Sequence, residues 1–126
     1  MEIKLKVLEK DLSIVHMDEL SDLNEIFSMS SFVSITKTDE EISLVMETKH
    51  VHDIWYANSG WKAIFIVGPL DFSLVGILRE VLGLLADGGI SIFAISTFDT
   101  DYILVKNEQL DRAIEILSNH FEIDTA

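Results

Sequence analysis

Apolar and polar residues alternate along several short stretches of the chain, the pattern of β-strands that bury one face. In residues 2–8, Ile3, Leu5 and Val7 alternate with charged residues. Similar strand patterns occur in residues 32–36, 41–46, 61–67, 90–96 and 101–105. The 61–67 stretch is apolar almost throughout, so we expect it to lie in the middle of a sheet.

Three other stretches have the spacing of helices. Residues 17–27 carry apolar positions every three or four residues, with acids in the first turn. Residues 72–86 are apolar on nearly all faces of the predicted helix. Asp71 is placed to cap the start of this helix, and Asp87-Gly88-Gly89 is placed to end it. Asn107 is the expected cap of a last amphipathic helix. Its inner face is formed by Leu110, Ala113, Ile114, Leu117 and Phe121.

The order of these elements predicts two related halves. The first reads β-α-β-β, and the second reads β-α-β-β-α followed by a short strand at 121–123, which is a ferredoxin-like order. Between them, residues 50–60 show no clear period and end in the turn signal Asn-Ser-Gly. We therefore predict an α+β protein with antiparallel sheets and helices on one face, divided into a shortened module, 1–58, and a second module, 59–126.

Composition narrows the range of functions. The 126 residues carry a formal net charge of −13, which would repel nucleic acid and anionic membranes. The absence of cysteine excludes disulfides and thiol catalysis. The chain has no apolar run long enough to cross a bilayer, and its first residues alternate like a strand instead of forming a signal peptide. We expect a cytoplasmic protein.

The connection between the 90–96 and 101–105 strands is short and polar, with Thr97, Asp99 and Asp101 near its tip. An amino acid needs donors for its carboxylate and an acidic partner for its ammonium group. The helix beginning near Phe72 offers free N–H groups and the Ser73 hydroxyl, and the tip offers carboxylates. Residue type alone favours an ordinary β-turn at the tip over a ligand site, because Asp and Thr are common turn residues.

Two segments, 68–78 and 90–105, resemble the ACT domain, a small amino-acid-binding regulatory module. Together with 32–38 and 41–45, they are similar to a family of tandem ACT proteins related to the CASTOR arginine sensors and to the regulatory region of aspartate kinases. The resemblance implies ferredoxin-like modules in tandem, a ligand at a module interface and a non-catalytic role. The ligand-binding positions that it implies are Leu70, Asp71, Phe72, Ser73, Leu74, Thr97, Phe98 and Asp101.

The resulting hypothesis is an amino-acid sensor that works as a homodimer on an unidentified protein partner, without cofactor or metal. The alternative is a vestigial ACT pair that acts only as a structural or dimerisation module. An enzyme is disfavoured because the chain has no activated nucleophile. A zinc site at His50, His52 and Asp53 is disfavoured because no further ligand is evident.

Overall fold

The computed structural model describes residues 3–19, 23–68 and 76–125. Within them lie seven strands and three α-helices. The strands are β1 (Lys4–Met17), β2 (Val33–Lys37), β3 (Ile42–Glu47), β4 (Tyr56–Ile66), β5 (Ile92–Ser96), β6 (Asp101–Lys106) and β7 (Glu122–Asp124). The helices are α1 (Leu23–Met29), α2 (Ile77–Asp87) and α3 (Leu110–Ser118). Two 3-10 turns, Thr48–His50 and Asn107–Gln109, follow β3 and β6.

The chain divides into two compact units. One, which we call the short unit, is Lys10–Trp61; the other, the long unit, combines Met1–Glu9 with Lys62–Ala126. The strands β1 and β4 each contribute residues to both units. The predicted modules, 1–58 and 59–126, remain a prediction about the chain's internal repeat.

In the short unit the strand order is β2-β3-β1-β4. β3 pairs antiparallel with β2 and with β1, where Met17 faces Ile42. The apolar side chains that alternate along these strands form one buried cluster with Ile26 of α1. Its members are Val15, Met17, Ile26, Ile42, Leu44 and Met46. A 3-10 turn stands after β3, where the ferredoxin-like order would place a second helix.

The long unit contains the complete β-α-β-β-α-β order from β4 to β7. β4 lies between β1 and β6, β5 pairs antiparallel with β6, and β7 pairs parallel with the start of β1. The inward residues of the strands pack with α2 and α3 in an apolar core. This core consists of Leu5, Val7, Ile64, Ile66, Val81, Leu85, Ile90, Ile103, Val105, Ala113 and Leu117.

Helix α2 ends where the Asp87-Gly88-Gly89 sequence predicts. The N–H of Ile90 donates to the Leu85 carbonyl at 3.0 Å, and the N–H of Gly89 donates to the Ala86 carbonyl at 3.0 Å. Gly89 has φ 74°, a left-handed conformation that favours glycine. This is a Schellman motif, so two carbonyls of the last turn are satisfied without a side chain.

Three local predictions were wrong. Met17, expected in the first helix, is the last residue of β1, because its side chain continues the inward alternation of Val15 and is buried. Residues 56–60, expected to be irregular, belong to β4, where lateral pairing in the sheet overrides the local turn signal. Asn107 does not cap α3: it starts a 3-10 turn, and Gln109 stands at the N-cap without a side-chain hydrogen bond.

The short unit also contains a buried polar network at the end of β3. Glu47, 4% exposed, accepts hydrogen bonds from the backbone N–H of Ser31 at 2.6 Å and from its hydroxyl at 2.8 Å. The N–H of Glu47 donates to the Ser30 hydroxyl at 3.0 Å, which donates to the Phe32 carbonyl. The backbone hydrogen bond from Ser31 lowers the pKa of Glu47, against the opposing effect of burial. This carboxylate therefore anchors the loop between α1 and β2.

Candidate functional site

The polar tip predicted from the sequence joins β5 to β6. Ser96, the last residue of β5, faces Asp101, the first residue of β6, so residues 97–100 form the turn. The Ser96 hydroxyl donates to Oδ1 of Asp101 across the base of this turn. This contact fixes the Asp101 carboxylate at the start of β6.

Thr97 closes the turn with its backbone and its side chain. Its N–H donates to the Thr100 carbonyl at 2.8 Å, and its hydroxyl donates to the same carbonyl at 3.1 Å. The Thr97 hydroxyl also accepts a hydrogen bond from the Thr100 N–H at 3.2 Å. Thr97 thus has the hydrogen bonds of an ordinary β-turn.

The tip is held against the end of β4. The Thr100 hydroxyl donates to the Ile66 carbonyl, and a Cβ added to Gly68 would lie 2.7 Å from the Asp99 carbonyl oxygen. Only glycine allows this approach without a shift of the backbone. β4 and β6 lie side by side in the sheet, which brings the tip at the start of β6 next to the end of β4.

Two tip residues project into solvent. Phe98 is 81% exposed, and Asp99 is exposed as well. The other predicted ligand-binding positions, Leu70, Asp71, Phe72, Ser73 and Leu74, lie outside the described residues, as does the predicted cap at Asp71. The structure therefore places Thr97, Phe98 and Asp101 together on one hairpin, beside the strand that leads to the rest of the predicted site.

The hairpin of the short unit has the same turn construction. The Thr38 N–H donates to the Glu41 carbonyl at 2.9 Å, and the Thr38 hydroxyl accepts from the N–H groups of Glu40 and Glu41 at 3.1 Å. Thr38 thus corresponds to Thr97. By sequence pattern alone, residues 32–36 would align with residues 93–97 and pair Thr36 with Thr97, because a shift of two residues preserves the alternation of a strand.

Two clefts of the short unit were not anticipated from the sequence. The first, about 300 Å³, lies between the end of β1 and the Thr38 hairpin, and carries five charged side chains, four of them acidic. Its lining is Met17, Asp18, Lys37, Thr38, Asp39, Glu40, Glu41 and Ile42. The second, about 510 Å³, combines His16, Met17, Asp18 and Glu19 with Ile54, Trp55 and Tyr56. The sequence signal that could have pointed to the first cleft is Thr38, which opens its hairpin turn as Thr97 opens the turn of the long unit.

The histidine pair weighed as a zinc site takes part in other contacts. The ring of His52 stacks on Trp55 with centroids 4.3 Å apart, and its Nε2 lies 3.8 Å from Glu25. His50 belongs to the 3-10 turn after β3. In the part of the chain that the structure describes, no three His, Cys, Asp or Glu residues are grouped as a metal site would require.

The element order and strand order of the long unit define the class: a small ferredoxin-like α+β module. The sequence profile of the ACT domain matches residues 56–119. The chain belongs to the ACT-domain family. The predicted family and α+β, ferredoxin-like class are confirmed.

Comparisons with individual proteins agree with this assignment. The chain is 32% identical over 103 residues to the human cytosolic arginine sensor for mTORC1 subunit 1, covering 75% of this chain and 31% of the sensor. The crystal structure of Agobacterium tumefaciens protein Atu0741 is 31% identical, covers 100% of this chain and 95% of its own, and superimposes with a TM-score of 0.89. Clostridium acetobutylicum aspartate kinase, 15% identical with a TM-score of 0.68, shares the fold over 94% of this chain and 34% of its own.

The chain spans less than two thirds of the curated relatives it matches, 64% of one and about a third of several others. Among the described residues, no helix has both the length and the apolar character needed to cross a membrane.

Proposed function

We propose that this chain is a non-catalytic regulatory protein that binds an amino acid at the β5–β6 tip. The site consists of Thr97, Phe98 and Asp101 on the tip, with Leu70–Leu74 on the segment that leads to α2. The observation that carries this proposal is the contact of Gly68 with Asp99, because the chain continues from Gly68 into that segment.

The roles of the residues follow from the chemistry of a zwitterion. Asp101 accepts the ammonium group through the oxygen that Ser96 does not occupy, since the Ser96 hydroxyl donates to Oδ1. The backbone N–H groups of residues 71–74 and the Ser73 hydroxyl donate to the carboxylate. Phe98, 81% exposed on the tip, covers the ligand side chain. The net charge of −13 favours cationic and neutral amino acids over acidic ones.

Relatives support a regulatory role. One curated relative is named as an arginine sensor, and another match is the crystal structure of the regulatory subunit of aspartate kinase from Thermus thermophilus. By analogy, this chain acts in the cytoplasm as a homodimer whose ligand alters its fit to a regulated protein. This role needs no catalytic group, cofactor or metal.

A thermal-shift screen of the twenty amino acids at millimolar concentration tests the proposal. A ligand that binds only the folded state raises the melting temperature in proportion to the logarithm of its concentration above Kd. We expect one amino acid, or a small related group, to give such a shift. The absence of a shift with all twenty would contradict an amino-acid ligand.

Matched variants then test the site. Asp101→Asn should abolish the shift because the neutral amide loses the charge that holds the ammonium. Asp99→Asn removes the same charge two residues away and should preserve the ligand-induced shift. Ser96→Ala removes the hydroxyl that donates to Asp101 but keeps the carboxylate, so binding should survive. Unchanged affinity in Asp101→Asn would remove Asp101 from the site.

The hydrogen bonds of Thr97 support the alternative of a structural module without ligand. Its hydroxyl already donates to and accepts from Thr100 inside the turn, as Thr38 does in the other hairpin. A purely structural module predicts a solution mass that no amino acid changes. Mass measurements with and without the twenty amino acids therefore separate the two functions.

A further inference from the structure

The larger cleft of the short unit has an apolar side that the core of this unit does not cover. Ile54 is 89% exposed and Tyr56, the first residue of β4, is 80% exposed. Trp55 between them packs against the buried cluster of the short unit, and its ring stacks on His52. Trp55 therefore anchors this segment, while its two neighbours present apolar surface to a molecule outside the chain.

The other side of the same cleft is acidic. Asp18 and Glu19, directly after β1, are both exposed and line it. Among the described residues, neither carboxylate forms an ion pair. His16 is the one described lining residue whose side chain can carry a positive charge. Aromatic rings beside carboxylates attract cations and repel anions, so this cleft suits a positively charged organic molecule.

The size and position of the cleft indicate the shape of that molecule. Its volume of about 510 Å³ is typical of a small-molecule site. It adjoins the cleft of about 300 Å³ at the Thr38 hairpin, because Met17 and Asp18 line both clefts. The second cleft adds three further acids and one base. A molecule that fits both clefts therefore has an apolar chain and positive charges spaced along its length.

We propose that the two clefts together bind a linear polyamine, a methylene chain that carries ammonium groups at intervals and has no carboxylate. The methylenes cover Ile54 and Tyr56, and the aromatic rings attract the ammonium group at that end. Asp18, which the clefts share, pairs with an inner ammonium group, and the acids of the Thr38 hairpin pair with the far one. The carboxylate of an amino acid would be repelled by Asp18 and Glu19.

Tryptophan fluorescence can measure binding because the two tryptophans of the chain differ in position. Trp55 lines the cleft, whereas Trp61 is buried. Titration of the full chain with spermidine at constant ionic strength should give a saturable change in emission, and calorimetry should give one equivalent bound. The absence of saturable binding by both methods would overturn the proposal.

Competition against spermidine then identifies the ligand chemistry. Cadaverine and lysine share a carbon chain and two amino groups, and only lysine has a carboxylate. Cadaverine should displace spermidine, and lysine at the same concentration should not. Displacement by lysine as effective as that by cadaverine would contradict a polyamine site. Because the readout is displacement from this cleft, the result is independent of the amino-acid site proposed at the β5–β6 tip.

Charge variants separate a specific site from general attraction to an acidic protein. Asp18→Asn should raise the dissociation constant for spermidine roughly tenfold, because it removes a charged partner of the ammonium group. Asp111→Asn removes the same charge from an exposed position of α3 and should leave the dissociation constant unchanged. Equal weakening in both variants, or equally tight binding of magnesium ions, would mean that the net charge of −13 alone attracts cations.

Apolar variants test the other side of the cleft. Tyr56→Ser removes the exposed ring and should weaken spermidine binding roughly fivefold, with an unchanged melting temperature. Phe27→Ser removes an aromatic ring that is 55% exposed on α1, outside the described lining, and should leave spermidine binding unchanged. A Tyr56→Ser variant that is folded and binds spermidine as tightly as wild type would show that the aromatic side takes no part.

Discussion

The short and long units begin in the same way and end differently. Each has a strand, a helix and a hairpin whose turn is closed by threonine, Thr38 in one and Thr97 in the other. The long unit continues into α3, which buries Ala113 and Leu117 in an apolar core. The short unit has the Thr48–His50 3-10 turn at that point. Its buried polar residues are Ser13 on β1, Ser30 directly after α1 and Glu47 at the end of β3.

The difference shows two ways to stabilise the same topology. Apolar burial in the long unit is nondirectional and supplies most of the stability. In the short unit, hydrogen bonds lie near the place of the missing helix: Glu47 anchors one loop, and the Ser13 hydroxyl lies 2.8 Å from that of Thr48 and 2.7 Å from that of Ser59. Such bonds position backbone segments, but their net contribution to stability is smaller.

The largest expected loss of stability comes from a substitution in the core of the long unit. Leu117→Ala removes a fully buried side chain of α3, so the free energy of unfolding should fall by about 2–5 kcal/mol. Urea denaturation measures this loss. Leu110→Ala, at a half-buried position of the same helix, should cost clearly less. Equal losses would mean that α3 does not dock as described.

The next effect is at Glu47 in the short unit. Glu47→Gln replaces charged hydrogen bonds to Ser31 with neutral ones, so stability at neutral pH should fall by about 1–2 kcal/mol. The lowered pKa means that the native state stabilises the carboxylate, so this contribution is complete above the ordinary glutamate value of about 4.3. It is lost as the pH falls through the lower folded-state pKa.

The difference between wild type and Glu47→Gln should therefore shrink towards zero in acid, as measured by urea denaturation across pH. Glu40→Gln removes the same charge from an exposed position and should show neither the loss nor this pH dependence. A difference that stays constant down to acid pH would mean that Glu47 acts through packing alone.

Gly68→Ala tests the contact between β4 and the Thr97 hairpin. The added methyl group would lie 2.7 Å from the Asp99 carbonyl oxygen, so the backbone must shift at a cost of about 1–3 kcal/mol. Gly83→Ala makes the same substitution where, apart from its own helix, no atom of the described residues lies within 4 Å of the added Cβ, and should not destabilise the protein. A Gly68→Ala variant as stable as wild type would show that this contact is loose.

The smallest loss of stability is expected at the two threonine turns, which can be compared directly. Thr38→Val and Thr97→Val each remove a hydroxyl that bonds the backbone of its own turn, at a cost of about 1 kcal/mol. Similar melting-temperature losses would confirm that the turns are equivalent in construction. Only Thr97→Val should also reduce an amino-acid-induced shift; an equal reduction in Thr38→Val would contradict a site confined to the long unit.

Segments with a regular apolar pattern were predictable because the burial of their own side chains decides their structure. The strands at 61–67 and 101–105 and the glycine end of α2 needed little tertiary information. The misassigned positions are those where pairing with a distant strand overrides local signals. Met17 extends β1 because it faces Ile42, and residues 56–60 extend β4 despite their turn-like sequence.

The order of the elements, the apolar residues of the 61–67 and 101–105 strands and the polar hairpin tip follow from the sequence, since they depend on side-chain period and turn chemistry. The close approach of Gly68 to Asp99 and the burial of Glu47 as an anchor for Ser31 depend on the tertiary structure. These facts join residues far apart in the chain or depend on what fills the space around one residue, and no local pattern records either.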